Sequence, residues 1–251
     1  MSNSRTNILS FFSIVGFLLV WQVISYYKFV DPLFIGKPTQ IFTEGLGLFK
    51  TGGTYEHLIL SLKTFILGFS LALVFGVIVG LFLGAYSNAY QIVKPYLFAL
   101  NSLPTMVILP LIIIWFGIGL KAKTIVVFMM SVVPILVNTI DGVRSVSEPL
   151  IKMAQSFKAK KIFIIRNIIF QSTLPYIFSG ARVALGRAVL AVVIAEYLGL
   201  GNGIGYLLSY YGATFQVNKV MALVFLIILF NLGILRILNI GESKLVYWKE
   251  F

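Results

Sequence analysis

The feature that most constrains the fold is a run of thirty residues without a charged side chain, residues 64–93. A helix rises about 1.5 Å per residue, so about 20 apolar residues cross a hydrocarbon core of about 30 Å. Five further apolar runs lie at residues 6–27, 96–120, 124–140, 176–199 and 219–240. The sequence therefore predicts an all-α integral membrane protein with about six transmembrane helices.

The composition supports this class and excludes several functions. Hydrophobic residues make up 59% of the chain and charged residues 11%, against about 25% charged residues in soluble domains. The net charge is +12, but the basic residues lie between apolar runs, where they set topology and contact anionic lipid, so no nucleic-acid partner is expected. Cysteine is absent and histidine occurs once, and the sequence has no Walker phosphate loop, so we expect no metal site, no cofactor and no enzymatic activity.

The longest polar interval of the second half is residues 141–175, with six basic residues against Asp141 and Glu148. Basic residues near the ends of spans are retained in the cytoplasm, so we expect this loop and both termini to be cytoplasmic, in a multi-pass protein of the cell membrane. A secretory signal peptide is the alternative interpretation of residues 6–27. This run is too long for a signal peptide and is not followed by a small-residue cleavage site, which favours a retained first span.

A short amphipathic helix is predicted inside this loop. Ser147 is a capping residue, Glu148 favours a helix start, and Pro149 is tolerated in the first turn. Apolar residues then recur at helical spacing on one face, at Leu150, Ile151, Ala154 and Phe157. Such a helix either lies on lipid headgroups or docks into a groove of a partner.

Glycines in the run at residues 64–93 follow a helical spacing. Gly68, Gly76, Gly80 and Gly84 share one helix face, which predicts close approach of a second helix. The alternative is that glycine is simply common in membrane helices.

Two prolines interrupt the third run, Pro104 and Pro110. A break at membrane depth is tolerated where the freed backbone faces protein or a water-filled cavity, so residues 102–110 are candidates for lining a pathway.

Three ionisable residues lie within the fifth run, Arg182, Arg187 and Glu196. Charges in a span usually face a bundle interior or an aqueous route, although Arg182 could extend to the headgroups. The alternative for Arg187 and Glu196 is pairing with neighbouring helices. The glycine-rich segment GLGNGIG after them predicts a turn and a short outer helix, and His57 is predicted to be a solvated loop residue before a span.

Several stretches carry a family resemblance that covers nearly the whole chain. They are Phe34-Ile-Gly-Lys-Pro, residues 61–69 (SLKTFILGF), Pro104 with residues 109–119 (LPLIIIWFGIG), Gly142-Val-Arg-Ser-Val, and residues 174–188 (LPYIFSGARVALGRA) with Glu196. The sequence resembles the permease subunit of binding-protein-dependent ABC importers, in the branch for nitrate, sulfonates, taurine and thiamine precursors, with the MetI-like type I fold.

The resemblance implies an arrangement of subunits. Separate ATPase subunits would lie under the membrane, an extracytoplasmic solute-binding protein outside, and a second permease chain, identical or different, beside this one. The solute would be a small anion such as nitrate or a sulfonate, or a vitamin precursor. An ion-coupled secondary transporter without an ATPase is the alternative function, although no internal repeat supports it. The chain divides into residues 1–57, an N-terminal transmembrane helix and outer loop, and residues 58–251, the permease core.

The family's ATPase-docking motif is Glu-Ala-Ala, three residues, Gly, nine residues, Ile-x-Leu-Pro. Here it begins at Lys152, has Lys158 at the glycine, retains Ile168 and ends at Phe170 and Gln171. The glycine suits a left-handed turn after the predicted amphipathic helix, and a lysine in this conformation costs about 1 kcal/mol.

The resemblance implies two sets of site residues. The ATPase-docking residues would be Leu150, Ile151, Lys152, Ala154, Phe157, Lys158 and Lys161. The translocation pathway would include Ser102, Thr105, Met106, Arg187 and Glu196.

Overall fold

The structure is a computed structural model that describes residues 3–31, 34–50 and 53–246, and the regular elements within these ranges are all helical. They are α1 (Asn3–Tyr26), α2 (Pro38–Lys50), α3 (Gly53–Ala85), α4 (Ser87–Ser102), α5 (Thr105–Phe116), α6 (Leu120–Arg144), α7 (Glu148–Ser156), α8 (Lys161–Phe163), α9 (Phe170–Tyr197), α10 (Ile204–Ala213) and α11 (Val217–Leu245). A π-helical stretch, Ile164–Ile169, joins α8 to α9 without a break.

Four of these elements are long and apolar enough to cross a membrane: α3, α6, the continuous Lys161–Tyr197 helix and α11. The pair α4 and α5, bent by 101° at residues 103–104, meets the same length and hydropathy criteria when the two helices are counted together as one bent span. The shorter apolar segment Phe12–Tyr26 of α1 completes an architecture of about six membrane helices. The all-α membrane fold predicted from the sequence is confirmed.

Glycines of α3 bring it against α6, as their spacing predicts. A Cβ atom added to any of the four would lie within 3 Å of an α6 side chain, so no larger residue fits without a shift. The contacting pairs are Gly68 with Val127, Gly76 with Ile135, Gly80 with Thr139, and Gly84 with Val143. The residue numbers of the contacting pairs increase in the same direction along both helices, so α3 and α6 run parallel. The chain therefore returns across the membrane between them through α4 and α5.

Helix α9 packs antiparallel on the same α6. Gly142 of α6 faces Thr173 and Tyr176, and Gly180 of α9 faces Asn138 one to two turns earlier in α6. A row of buried alanines on α9, from Ala181 to Ala195, lets the backbones approach. The α3–α6–α9 layer is therefore the rigid core that positions the charged residues of the fifth run.

Some predicted boundaries are wrong. Helix α4 begins at Ser87, after the extended residue Tyr86, so Lys94 and Pro95 lie inside the helix and not before it. Helix α6 begins at Leu120, four residues before the apolar run at 124–140, so Lys123 belongs to its first turn. The division of the chain at residue 57 stays a prediction, although α3 already begins at Gly53.

Candidate functional site

The predicted break in the third run lies at Leu103 and Pro104, between α4 and α5. Both residues are extended, since a proline lacks a donor and pushes the residue before it out of helical conformation. Pro110, the second predicted breaker, lies inside α5 without ending it. The break is therefore a single bend made by one proline.

The predicted pathway residues around the bend are largely exposed. Ser102 ends α4 with its hydroxyl donating to the Phe98 carbonyl at 2.9 Å, and Met106 is exposed in the first turn of α5. Thr105 begins α5, and its side chain lies outside what the structure describes. Arg187 reaches this region from α9, where its Nη1 donates to the Asn101 side-chain oxygen at 3.0 Å. The structure thus brings the predicted residue Arg187 together with one unpredicted residue, Asn101, which precedes Ser102 at the end of α4.

Glu196, the fifth predicted pathway residue, lies elsewhere, in a buried polar cluster. Its carboxylate accepts from Lys123 Nζ at 3.2 Å and from the Ser61 hydroxyl at 2.7 Å. The Gly205 backbone N–H donates to the same carboxylate at 3.1 Å, and Lys123 also donates to the Asn202 carbonyl at 2.7 Å. Glu196 is 0% exposed. This geometry supports the packing alternative for Glu196, because the carboxylate faces three protein donors and not an open surface.

The glycine-rich segment is shaped around this carboxylate. A Cβ atom on Gly203, whose φ is +155°, would lie 2.0 Å from the Glu196 carboxyl carbon. On Gly205 it would lie 2.3 Å from the Val193 carbonyl oxygen. The segment then enters α10, which confirms the predicted turn and short helix.

His57 belongs to the same cluster, so its prediction as a solvated loop residue is wrong. It lies in the second turn of α3, where its Nδ1 accepts from the Gly203 N–H at 2.9 Å and its ring stacks on Tyr206 at 5.5 Å. The Ile204 N–H donates to Ser61 Oγ at 2.9 Å. Helix α3 thereby supplies side-chain acceptors for the open N-terminus of α10, a pairing that requires tertiary structure to recognise.

Arg182 also has a protein partner. It forms an ion pair with Glu242 of α11 and donates to the Asn239 side chain at 3.1 Å. The contact joins α9 to α11, so Arg182 is held by the bundle and does not extend freely to the headgroups.

The predicted amphipathic helix is present as α7, with Ser147 at the cap position and Pro149 in the first turn. Some of its apolar side chains face the rest of the protein, and others face away from it. Ala154 is buried, and α7 packs on the π-helical stretch. Phe157 is 82% exposed and Met153 53%, and Leu150 is also exposed. Ala154 thus faces the protein itself, and Met153, which the sequence reasoning missed, joins the outward row.

The end of α7 has the geometry that the family motif implies. Lys158 has φ +55°, its N–H donates to the Gln155 carbonyl at 2.8 Å, and the Ala159 N–H donates to the Ala154 carbonyl at 3.1 Å. This is a left-handed C-cap of the kind that glycine favours. Lys152 pairs with Glu148 at 2.9 Å on the exposed side.

A groove follows the cap. It has a volume of about 590 Å³ and is lined by Phe157, Ala159, Lys160, Ile162, Phe163, Arg166 and Asn167. Lys161 lies beside it at the start of α8. An apolar floor with basic edges suits a protein surface that carries acidic and apolar groups.

The structure thus has the features of a multi-pass membrane protein with a bent helix pair, an arginine within a long apolar helix and an amphipathic helix beyond the bundle. Residues 72–246 match the family model described as "Binding-protein-dependent transport system inner membrane component". The chain belongs to this family of MetI-like ABC importer permeases. Membership of this family argues against the alternative of an ion-coupled secondary transporter, because the family consists of binding-protein-dependent transport components.

Individual relatives agree with the family. The chain is 29% identical to the taurine transport system permease protein TauC of Escherichia coli over 224 residues, 87% of this chain and 82% of the relative. It is 28% identical over 233 residues to the putative aliphatic sulfonates transport permease protein SsuC of Bacillus subtilis, covering 93% and 84%. It is 28% identical over 235 residues to the formylaminopyrimidine transport permease protein ThiX of Halalkalibacterium halodurans, covering 93% and 92%.

Proposed function

We propose that this permease forms the pathway of an importer in which two separate ATPase subunits bind the cytoplasmic side and a solute-binding protein delivers solute from outside. The sequence holds no phosphate-binding loop, so nucleotide hydrolysis is assigned to the partner. ATP-driven closure of the ATPases moves α7, and α7 moves the helices to which it is joined. Both termini lie in the cytoplasm, on the side of the basic loop at residues 141–175.

The observation that carries the docking proposal is the outward row on α7. Leu150, Met153 and Phe157 follow at intervals of three and four residues and lie exposed beyond the bundle. An apolar helix face of this kind fits a groove on a partner. Lys158 and Lys161 flank the row and favour an acidic rim on the ATPase.

A second permease chain covers the surface around the bend. Asn101, Ser102 and Arg187 present polar groups there, and polar groups are costly against hydrocarbon. We therefore place this surface, with Thr105 and Met106, at a water-filled pathway between two chains. The partner is either a second copy or a related chain, and the solute is either a small oxyanion or a neutral vitamin precursor, in line with the relatives' names.

The docking proposal is tested by replacing Phe157 with Asp and measuring how much ATPase co-purifies with the permease. A carboxylate in the apolar row is expected to reduce recovery at least tenfold. Phe215→Asp is the matched control, since Phe215 is 73% exposed in the turn between α10 and α11, far from α7 along the chain. Equal recovery with both variants would contradict docking through α7.

A further inference from the structure

Arg187 lies near the middle of the membrane part of α9. Glu196 marks the outer end of this part, where it meets the first turn of α6, and Tyr176 marks the cytoplasmic end, where it meets Gly142. Arg187 lies nine residues from Glu196 and eleven from Tyr176, which correspond to about 14 Å and about 17 Å of helix rise. A hydrocarbon core of about 30 Å places the guanidinium close to its midplane.

The charge of Arg187 has no carboxylate beside it among the side chains that the structure describes. Two other basic residues of α6 and α9 do have acidic partners: Lys123 pairs with Glu196, and Arg182 pairs with Glu242. Arg187 instead donates one hydrogen bond to the neutral amide of Asn101. A guanidinium carries five donors, so most of its capacity is left for another acceptor.

Asn101 shares a cavity with a second positive side chain, Lys94. The cavity has a volume of about 90 Å³, lies between α4 and α6, and is otherwise lined by Tyr90 and apolar residues, with no acidic residue. Lys94 precedes Asn101 by seven residues of α4, about 10 Å toward the cytoplasmic end. Lys94 thus places a second positive charge on the cytoplasmic side of Asn101.

We propose that Arg187 and Asn101 form a binding subsite for the oxyanion group of the solute, a sulfonate or a carboxylate, at the midplane of the pathway. The inference rests on the proposed function and adds to it the charge of the solute. The planar guanidinium binds two oxygens of such a group at once. The neutral Asn101 oxygen orients Arg187 while no solute is bound and is displaced by a stronger, charged acceptor, whereas an aspartate at this position would compete permanently.

The test uses the complete transporter, permease with its ATPase and binding protein, reconstituted in liposomes. Uptake of radiolabelled taurine, ethanesulfonate and, as the uncharged probe, formylaminopyrimidine is measured together with ATPase stimulation by the binding protein. Arg187→Gln and Asn101→Asp are each expected to lower uptake of taurine and ethanesulfonate at least tenfold. Arg187→Lys is expected to retain part of the native uptake. ATPase stimulation should persist in all variants, because none lies in α7.

Two measurements separate this account from a structural role. Asn101→Asp adds an ion pair with Arg187, so its melting temperature should rise or stay unchanged while uptake falls. Lys121→Gln, which removes an exposed charge at the outer start of α6, should leave uptake unchanged. Uptake within twofold of the native protein in Arg187→Gln, or wild-type uptake of formylaminopyrimidine alone, would overturn the inference and leave the proposed function intact. Failure of the native chain to bind any ATPase would overturn both.

Discussion

Lys123 and Glu196, 73 residues apart in sequence, form a salt bridge of 3.2 Å between side chains that are 4% and 0% exposed. Removing one partner of a buried pair leaves an uncompensated charge and costs about 3–5 kcal/mol. The same cluster fixes α3 through Ser61 and α10 through Gly205. The bridge therefore holds four helices together at the end of the bundle opposite α7.

Lys123→Met and Glu196→Gln are each expected to lower the free energy of unfolding by about 3 kcal/mol, and the double variant by less than the sum, because it leaves no unpaired charge. Unfolding of the purified permease in detergent provides the measurement. Lys152→Gln, which removes the exposed pair with Glu148, is the control and should change nothing measurable. Additive losses in the double variant would contradict a direct interaction.

Gly203→Ala should abolish folding of the cluster, since its Cβ would lie 2.0 Å from the Glu196 carboxyl carbon. Gly201→Ala separates this clash from backbone strain, because Gly201 also has a positive φ, +104°, but has open space around its Cβ position. We expect Gly201→Ala to cost about 1–2 kcal/mol and to leave a folded protein. Size-exclusion recovery and melting temperature distinguish the two, and similar behaviour would refute the steric account.

Gly80→Val is expected to separate α3 from α6, because a Cβ atom alone would lie 2.6 Å from that of Thr139. Overpacking of this kind costs about 1–3 kcal/mol. Gly233→Val in α11, where the Cβ position is open, is the matched control. A melting temperature lowered equally by both variants would show that glycine in these helices matters for propensity and not for contact.

Lys158→Gly should stabilise the end of α7 by about 1 kcal/mol, since the left-handed conformation at φ +55° is strained for lysine. Hydrogen exchange reports the change directly, with slower exchange expected at position 158 and at Ala159, whose N–H groups donate to the Gln155 and Ala154 carbonyls. Lys160→Gly, at an extended position, lacks this gain and should speed exchange or leave it unaltered.

Periodic patterns made much of the fold predictable. The spacing of Gly68, Gly76, Gly80 and Gly84 identified the helix face that contacts α6, since one helix turn determines which residues share a face. Pro104 was found as a breaker because its effect is local. The left-handed turn at Lys158 followed from the family's glycine at that position.

Contacts between distant residues were not predictable in the same way. Glu196 meets Lys123 only because α6 begins one turn earlier than its charges suggested, and His57 meets Gly203 across 146 residues. Asn101 carries no pattern of its own, and its meeting with Arg187 depends on how α4 and α9 are each placed against α6. A charged residue within a span predicts that a polar partner exists, but which residue is the partner depends on tertiary packing.

The central claim, that α7 lies in the cytoplasm against an ATPase, has a direct test because the sequence contains no cysteine. Met153→Cys, in the outward row of α7, is treated with a membrane-impermeant maleimide in intact cells and in inverted vesicles, with and without the ATPase. The account predicts labelling only in inverted vesicles and protection by the ATPase, while Phe215→Cys is labelled only in intact cells. Labelling of Met153→Cys from outside, or equal labelling with and without the ATPase, would contradict it.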